Sequence, residues 1–320
     1  MEGLPTVADL LEARKVVARY HPRTPLYFSA TLSRHSGSEI YVKYENHSPI
    51  RSFKARGALY GLWRLSPKQR DVGIVTASTG NHGQGIAYAG QILDLPTTIV
   101  VPHSTPEMKC EAIRSFGGEL RVFGDNGAQA MAHARELAVR DGKVYIEDGN
   151  DRALMAGAAT LAWEIFEDLP DVSVLVIPVG SGNLIAGVSI VAKRINPQIH
   201  IVGVQSDAAP AATRSWEAGR IVESPSETFA EGIATTYPGA LAFQVIKEGV
   251  DEMRLVSEEE LRTSILTVLH TTGQVAEGAG AAPFAALEKF GSEWTGAKVV
   301  LILSGGNLPI EVLRTLLLGQ

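Results

Sequence analysis

Apolar residues recur every three or four positions from Val7 to Tyr20, the spacing that places them on one face of an α-helix. Thr6 stands directly before this segment and has a side chain that is preferred at a helix N-cap. His21 and Pro22 follow it, and proline cannot continue a helix. The pattern therefore predicts an amphipathic helix over residues 7–20.

After this helix, short apolar runs rich in β-branched residues alternate with segments of helical periodicity. The apolar runs predict strands at 40–44, 72–76, 97–101, 120–122, 144–146, 172–179, 200–204 and 299–303. The periodic segments predict helices at 80–93, 107–116, 128–139, 154–166, 184–194 and 309–318, with another beginning at Ser52. Strands that alternate with helices pair in parallel and are covered on both faces, so the pattern predicts an α/β fold. The strands form two series, which indicates two α/β domains with a cleft between them.

The composition restricts the kind of partner and the compartment. The net charge is −6 and no basic run is long enough for a nucleic-acid footprint, so we expect a small-molecule ligand. The most apolar runs have the length of strands, which predicts no membrane span. The one cysteine, Cys110, can form no intramolecular disulfide, and the N-terminus lacks the pattern of a secretory signal. We therefore expect a soluble cytoplasmic protein.

Three polar, glycine-rich loops follow predicted strands, at residues 78–85, 180–184 and 304–307. Ligands of open α/β sheets bind at such strand ends. The 180–184 loop also precedes a helix, so its backbone N–H groups can bind a phosphate, with an ordinary tight turn as the alternative. No Gly-Lys-Ser/Thr follows, which argues against a nucleotide P-loop. A dinucleotide site ranks second, because the strand at 200–204 ends without a carboxylate.

Lys54 lies at the predicted start of a helix, with Ser52 as its expected cap. Most lysines are solvated surface charges. This one follows the apolar Phe53 and precedes small residues rather than a charged helix face. Burial of a lysine amine makes it a nucleophile toward an aldehyde, so the segment suits a Schiff-base lysine, although spacing alone does not establish one.

Five motifs occur in an order that resembles the fold-type II pyridoxal-phosphate enzymes: KYEN, SFKARGA, STGNHGQG, GSGNL and LSGGN, with similarity from Arg23 to Asn307. Within that group the chain most resembles the serine/threonine dehydratases (threonine ammonia-lyases) and serine racemases. The resemblance implies pyridoxal 5′-phosphate as cofactor and a two-domain fold like that of tryptophan synthase β. Each domain is then an open, mostly parallel sheet with helices on both faces. The implied boundaries are a large, discontinuous cofactor-binding domain at 1–48 and 147–320, and a small substrate-carboxylate-binding domain at 49–146.

The resemblance also implies roles for individual residues. Lys54 resembles the Schiff-base lysine, Phe53 the side chain against the cofactor ring, and Asn81 the asparagine at the 3′-oxygen. The segment that resembles the tetraglycine phosphate loop consists of Gly180, Ser181, Gly182, Asn183 and Leu184. Ser304 resembles the residue that binds the pyridine nitrogen, and Glu277 resembles a glutamate near the cofactor, with a helix-start carboxylate as the alternative. The segment that resembles the substrate-carboxylate loop consists of Ser78, Thr79, Gly80, Asn81 and His82.

The function implied by this family is a β-elimination on a small β-hydroxy amino acid such as L-threonine or L-serine. Lys54 removes the α-proton as general base, the β-hydroxyl leaves, and a 2-oxo acid and ammonia are released. The alternatives within the family are a 3-hydroxyaspartate dehydratase, a diaminopropionate ammonia-lyase, a synthase and a serine racemase. A non-catalytic amino-acid-binding protein is the alternative from a different class. The family implies a homodimer or homotetramer, and the short segment after the last predicted helix leads us to expect no regulatory domain.

Several residues depart from the family pattern. Arg51 stands where threonine dehydratases have a glycine, and it either pairs with a second substrate carboxylate or, as we slightly favour, faces solvent. Thr79 replaces the serine that acts as acid/base in the racemase, which argues against efficient racemisation. Gln205 and Ala211 replace the racemase's metal-binding carboxylates, so we expect no obligatory magnesium or calcium.

Overall fold

The computed structural model describes residues 3–319 of the chain. The α-helices are α1 (Val7–Tyr20), α2 (Ala30–Ser36), α3 (Lys54–Trp63), α4 (Pro67–Val72), α5 (Asn81–Leu93), α6 (Glu107–Ser115), α7 (Gly127–Asp141), α8 (Arg152–Asp168), α9 (Asn183–Ile195), α10 (Ala211–Ala218), α11 (Ala240–Gly249), α12 (Glu258–Thr272), α13 (Gly278–Phe290) and α14 (Ile310–Leu318). The strands are β1 (Leu26–Phe28), β2 (Glu39–Tyr44), β3 (Ile74–Ala77), β4 (Thr97–Val101), β5 (Glu119–Val122), β6 (Val144–Tyr145), β7 (Val174–Pro178), β8 (His200–Ser206), β9 (Glu252–Val256) and β10 (Lys298–Leu303). Short 3-10 helices lie at Glu45–His47, Glu231–Ile233 and Gly291–Trp294.

The strands form two separate sheets. The larger has the order β1-β2-β10-β7-β8-β9 and the smaller the order β5-β4-β3-β6. Only the β1–β2 pair is antiparallel, and every other pair in the two sheets is parallel. The predicted α/β fold with mostly parallel sheets is therefore confirmed. The exact domain boundaries stay a prediction.

Helices cover both faces of each sheet, as the strand β10 illustrates. Val300 and Ile302 belong to the apolar core shared with α1, α8 and α9, whereas Val299, Leu301 and Leu303 belong to the core shared with α12 and α13. Successive side chains of a strand point to opposite faces, so this alternation fills two cores at once. Each fully buried aliphatic side chain of this kind contributes about 1.5–3 kcal/mol to folding.

Close packing of α3 on α8 fixes the position of the segment that carries Lys54. A Cβ added at Gly157 would lie 2.4 Å from the backbone oxygen of Arg56, and one at Gly57 would lie 2.8 Å from the backbone oxygen of Leu154. Only glycine permits such an approach of two helix backbones. The start of α3 therefore has little freedom to move relative to the larger sheet.

The predicted element boundaries agree with the structure over much of the chain. The first helix spans Val7–Tyr20 with Thr6 as its N-cap, and Asp9 completes a capping box. The strand predicted at 72–76 lies at 74–77, because α4 occupies the preceding residues. Sequence reasoning missed β1, α2 and α4, and it left the region of α10 to α13 and β9 unassigned.

The prediction that Ser52 caps a helix was wrong. Helix α3 begins at Lys54 with Phe53 at the N-cap position. Ser52 instead forms a bridge with Gly305, and the Phe53 N–H donates to the Ser304 carbonyl oxygen at 3.1 Å. Backbone pairing with the end of β10 therefore delays the start of the helix and ties Lys54 to the 304–307 loop.

Candidate active site

The three glycine-rich loops meet around Lys54. The loop 78–82 follows β3, the loop 180–184 follows β7 and the loop 304–307 follows β10. Asn307 Nδ2 donates to Asn81 Oδ1 at 2.7 Å, which joins the first loop to the third. Lys54 and Ser181 both donate to Asp148, which joins the lysine to the second loop. The structure thus assembles the predicted residues into one site at the carboxyl ends of parallel strands.

Lys54 extends from the first turn of α3 into a small cavity. Its Nζ lies 5.0 Å from the centre of the Phe53 ring and 2.6 Å from Asp148 Oδ2. The side chain is 16% exposed, so the lysine is not a surface charge. The cavity wall also includes His82 and Asn183. The amine is partly buried, as the sequence predicted, but it has a carboxylate partner that the sequence interpretation missed.

Asp148 lies just after β6 and accepts hydrogen bonds on both of its oxygens. Lys54 Nζ and Ser181 Oγ donate to Oδ2 at 2.6 and 2.8 Å, and Asn183 Nδ2 donates to Oδ1 at 2.9 Å. Burial acts to raise the pKa of Asp148, but the charge of Lys54 and the hydrogen bonds from Lys54 and Ser181 outweigh it and hold the pKa well below its usual range. Its position after a strand of the smaller sheet was the one signal that could have identified it.

The 180–184 loop has the geometry of an anion site. Gly182 is the N-cap of α9 with φ +102°, a conformation that glycine adopts without strain. A Cβ at Gly180 would lie 2.7 Å from the backbone oxygen of Gly232, so this position also requires glycine. The first N–H groups of α9 have no partner within their own helix and point out of its N-terminus. Leu184 lies in the apolar core and anchors the loop.

Asn81 is held between two side chains. Its Nδ2 donates to Glu277 Oε1 at 2.7 Å, and its Oδ1 accepts from Asn307 Nδ2 at 2.7 Å. Burial raises the pKa of Glu277 to about 7. Glu277 does occupy the N-cap position of α13, but its carboxylate makes no capping hydrogen bond. Asn307 was not among the predicted site residues, although it belongs to the LSGGN motif that indicated Ser304.

The 78–82 loop leads into α5, whose N-cap is Gly80. The Gly80 N–H donates to Ser78 Oγ at 3.3 Å, and the side chain of Thr79 forms no hydrogen bond to any residue between 3 and 319. Burial lowers the pKa of His82, which favours a neutral ring. The Thr76 hydroxyl donates to the Ile146 carbonyl oxygen at 2.8 Å, so it accepts from His82 Nε2 at 3.1 Å. A helix N-terminus with a neutral imidazole beside it suits a carboxylate ligand.

Ser304 directly follows β10 and is buried, and its carbonyl oxygen accepts from the Phe53 N–H. Its hydroxyl forms no hydrogen bond with the described part of the chain, so a donor or acceptor on a ligand can use it. Ser304 can therefore act as an uncharged hydrogen-bonding partner for an atom of a ligand.

Arg51 and Gln205 are two of the positions at which the sequence departs from the pattern it resembles. Arg51 has φ +54° and an exposed side chain, and its carbonyl oxygen accepts from the Gly306 N–H at 2.9 Å. The structure thus places the guanidinium in solvent. Gln205 is buried, donates to the Val179 carbonyl oxygen at 3.1 Å and accepts from the Thr213 N–H at 2.8 Å. Across residues 3–319, no group of His, Cys, Asp and Glu has the arrangement of a metal site.

Comparison with known proteins gives matches over nearly the whole chain. A family model described as pyridoxal-phosphate dependent enzyme matches residues 17–305. An L-threonine ammonia-lyase of Thermotoga maritima is 41% identical over 310 residues, which cover 96% of this chain and 77% of that protein. A catabolic L-threonine dehydratase of Escherichia coli is 34% identical over 308 residues, which cover 95% of this chain and 94% of that protein.

Solved structures give the same result. The processed form of threonine deaminase isoform 2 from Solanum lycopersicum superposes with a TM-score of 0.92 at 32% identity, covering 99% of this chain and 94% of that one. Maize serine racemase superposes with a TM-score of 0.92 at 28% identity, covering 98% of this chain and 97% of that one. Within residues 3–319, no helix combines the length and apolar character that a membrane crossing requires.

Proposed function

The chain belongs to the family of pyridoxal-phosphate dependent enzymes, and from this premise we propose that it converts L-threonine into 2-oxobutanoate and ammonia. The observation that carries the choice of substrate is the 34–41% identity, over at least 95% of this chain, to relatives named for threonine deamination. The outward Arg51 supports the same choice, because no cation from that position is available for a second substrate carboxylate.

The residues of the site fit pyridoxal 5′-phosphate. The Gly180–Leu184 loop offers backbone donors and a helix N-terminus for the phosphate, and it has no room for a Cβ at Gly180. The Lys54 amine suits the aldehyde, and the Ser304 hydroxyl suits the ring nitrogen. The Asn81 amide, fixed by Glu277 and Asn307, suits the 3′-oxygen. When bound, the cofactor supplies an electron sink that allows the Cα–H bond to break and the β-hydroxyl to leave.

Lys54 is the proposed catalytic residue. Its Nζ would hold the cofactor before substrate arrives and would then remove the α-proton as general base. The start of α3 is fixed by the packing of Gly157 on Arg56, so the amine is presented from a rigid element. Lys54 lies close to the Phe53 ring, which lines the same cavity.

The loop 78–82 is the proposed site for the substrate carboxylate. The N-terminus of α5 provides N–H donors there. Ser304 offers a hydroxyl rather than a carboxylate to the ring nitrogen, so it does not force a proton onto that atom. A milder electron sink favours elimination over transamination.

The test is a panel of amino acids scored for 2-oxo acid and ammonia with the purified full chain. The panel consists of L-threonine, L-serine, both 3-hydroxyaspartates, phenylserine and diaminopropionate, and L-threonine is expected to give the highest kcat/KM. A preparation that stays colourless with added cofactor, or turns over none of these compounds, would overturn the assignment. Formation of D-serine faster than 2-oxo acid would favour the racemase instead.

Two further arms of that experiment test the departures from the family. Arg51→Gly is expected to leave turnover of 3-hydroxyaspartate unchanged, because the Arg51 side chain lies in solvent. A chelator is expected to leave activity unchanged, because Gln205 already satisfies the Val179 carbonyl oxygen and the Thr213 N–H. Loss of activity on chelation would show that a divalent cation binds elsewhere in the protein.

We also propose that the protein acts in the cytoplasm as a homodimer or homotetramer. The single cysteine, Cys110, is buried and free, as suits a reducing compartment. Tyr27 and Phe28 on the edge strand β1 are more than half exposed, and such apolar surface is often covered in oligomers. Sedimentation analysis of the purified protein distinguishes these states from a monomer.

A further inference from the structure

The carboxylate of Asp148 is the one charged group of the pocket that the proposed chemistry does not use. It binds at once to the proposed cofactor lysine, Lys54, and to two side chains of the proposed phosphate loop, Ser181 and Asn183. These donors come from two parts of the fold: Lys54 from the start of α3, and Ser181 and Asn183 from the loop between β7 and α9. A negative group thus already lies where the cofactor's phosphate and aldehyde are expected to be bound.

The backbone is built to bring this carboxylate against the loop. Gly149, the next residue, has φ +92°, and a Cβ there would lie 2.9 Å from Ser181 Cβ. A Cβ at Gly239 would lie 2.1 Å from the Gly149 backbone oxygen, and the Gly239 N–H donates to the Ser181 carbonyl oxygen at 2.8 Å. Gly149 therefore packs directly against Ser181, and Gly239 packs against both. This close approach lets the Asp148 carboxylate reach the side chains of the loop.

The orientation of Asn183 reflects the same interaction. Its Nδ2 donates to Asp148 Oδ1, whereas its own Oδ1 is buried and has no hydrogen-bond partner within the described part of the chain. An unpaired buried acceptor is unfavourable. The amide thus satisfies Asp148 and leaves its own oxygen unpaired, so the carboxylate determines how Asn183 is presented.

We propose that Asp148 is a positioning residue that acts as an internal anion: it occupies Lys54 and the side-chain donors of the phosphate loop in the cofactor-free protein and gives up the loop donors when cofactor phosphate binds. The physical reason is that two anions cannot share these donors without strong repulsion at low local dielectric. Asp148 then weakens the binding of phosphate-bearing ligands. The inference rests on the proposed phosphate role of the loop and not on the identity of the amino-acid substrate.

The test compares Asp148→Asn with the wild type in the cofactor-free full chain. The amide keeps the size of the side chain but removes the charge. The dissociation constants of pyridoxal 5′-phosphate and of pyridoxal, which lacks the phosphate, are measured from the visible absorbance of the bound form. We expect the variant to bind pyridoxal 5′-phosphate at least about tenfold more tightly, a change of about 1.4 kcal/mol, and to bind pyridoxal within about threefold of wild type.

Glu147→Gln is the matched control, since it removes the neighbouring charge from a side chain whose partner is Arg135 on the surface. It should leave both constants within about twofold of wild type, because exposed charges are screened. Unchanged or weaker binding of pyridoxal 5′-phosphate by Asp148→Asn would overturn the inference. An equal gain for pyridoxal would also overturn it, because the effect would then not involve the phosphate.

A measurement on the wild type covers the case in which the variant does not fold. Crystal structures with and without pyridoxal 5′-phosphate should differ in the distances from Asp148 to Ser181 Oγ and Asn183 Nδ2. Loss of at least one of these hydrogen bonds in the loaded protein is expected, and retention of both would contradict the inference. Wild-type turnover of L-threonine is measured separately, so failure of the proposed activity and failure of this inference can be told apart.

Discussion

Lys43 and Lys54 each bring an ammonium group into the interior beside a carboxylate, yet their surroundings differ. Lys43 Nζ donates to the Thr24 carbonyl oxygen at 2.7 Å and to Glu164 Oε2 at 2.6 Å, and its side chain is fully buried. Among residues 3–319, Asp148 is the one acceptor of Lys54 Nζ, and this lysine is 16% exposed and faces a cavity. One lysine is enclosed in a complete set of partners, whereas the other remains accessible to a ligand.

The cluster around Lys43 is closed because Arg56 satisfies both of its acidic neighbours. Arg56 donates to both oxygens of Glu45, at 2.7 and 2.9 Å, and to both oxygens of Glu164, at 2.7 and 2.9 Å. Burial acts to raise the pKa of Glu45, but the charge and hydrogen bonds of Arg56 outweigh it and lower that pKa. Two cations and two carboxylates are therefore matched inside the protein, and no member of the cluster is available for chemistry.

The pocket around Lys54 differs in that its charges are not matched. Asp148 balances the lysine, whereas the carboxylate of Glu277 accepts from Asn81, and burial raises its pKa to about 7 although the charge of Lys109 opposes that rise. Groups with shifted pKa values are often found at functional sites. From this difference we expect Lys43 to be structural, and it supports the proposal that Lys54 is functional.

The largest effect is expected from Lys54→Ala, which should lower kcat/KM for L-threonine by more than about a thousandfold, since both cofactor anchoring and proton removal are lost. The fold should be retained, because the Ser181 and Asn183 hydrogen bonds to Asp148 remain. Activity and the visible absorbance of bound cofactor are measured together. The surface variant Lys68→Ala serves as control. If Lys54→Ala keeps activity within tenfold of wild type, Lys54 is not the catalytic lysine.

Lys43→Met should have its main effect on stability. Removing one cation leaves Glu164 and Glu45 incompletely compensated in the interior, and breaking a buried ion pair costs about 3–5 kcal/mol. The free energy of unfolding is measured in urea, with Lys298→Met as control because Lys298 pairs with Asp171 on the surface. The control should cost at most about 1 kcal/mol. A loss for Lys43→Met no larger than for the control would show that the closed cluster is not structural.

These two lysines also show how much of the structure could be predicted from the sequence. The alternation of strands and helices predicted the α/β fold, and the glycine-rich loops at strand ends indicated a ligand site. The roles of Lys54, Asn81 and Ser304 in that site were implied only by the family resemblance. Motif order supplied the cofactor. Asp148 could not be found in this way, because its role depends on the close approach of Gly149 to Ser181, which brings together residues distant in the chain. The start of α3 was misplaced for the same reason, since pairing with Gly305 is a tertiary contact.

A smaller effect is expected from Glu277→Gln, which tests directly whether the buried Glu277 carboxylate lacks a compensating charge. Because the pKa of Glu277 is raised from 4.5 to about 7 in the folded protein, the folded state holds a proton that the unfolded state releases between these two pH values. The stability from this group is fully present below about pH 4.5 and is lost as the pH rises to about 7, with a total of about 3 kcal/mol. Gln cannot ionise, so the cofactor-free variant should gain stability over wild type at pH 8 but not at pH 4.5. As a control, the exposed Glu288→Gln should follow the wild-type pH profile. If Glu277→Gln follows that profile too, the Glu277 carboxylate is already charged in the folded protein, and a neighbouring group compensates its charge.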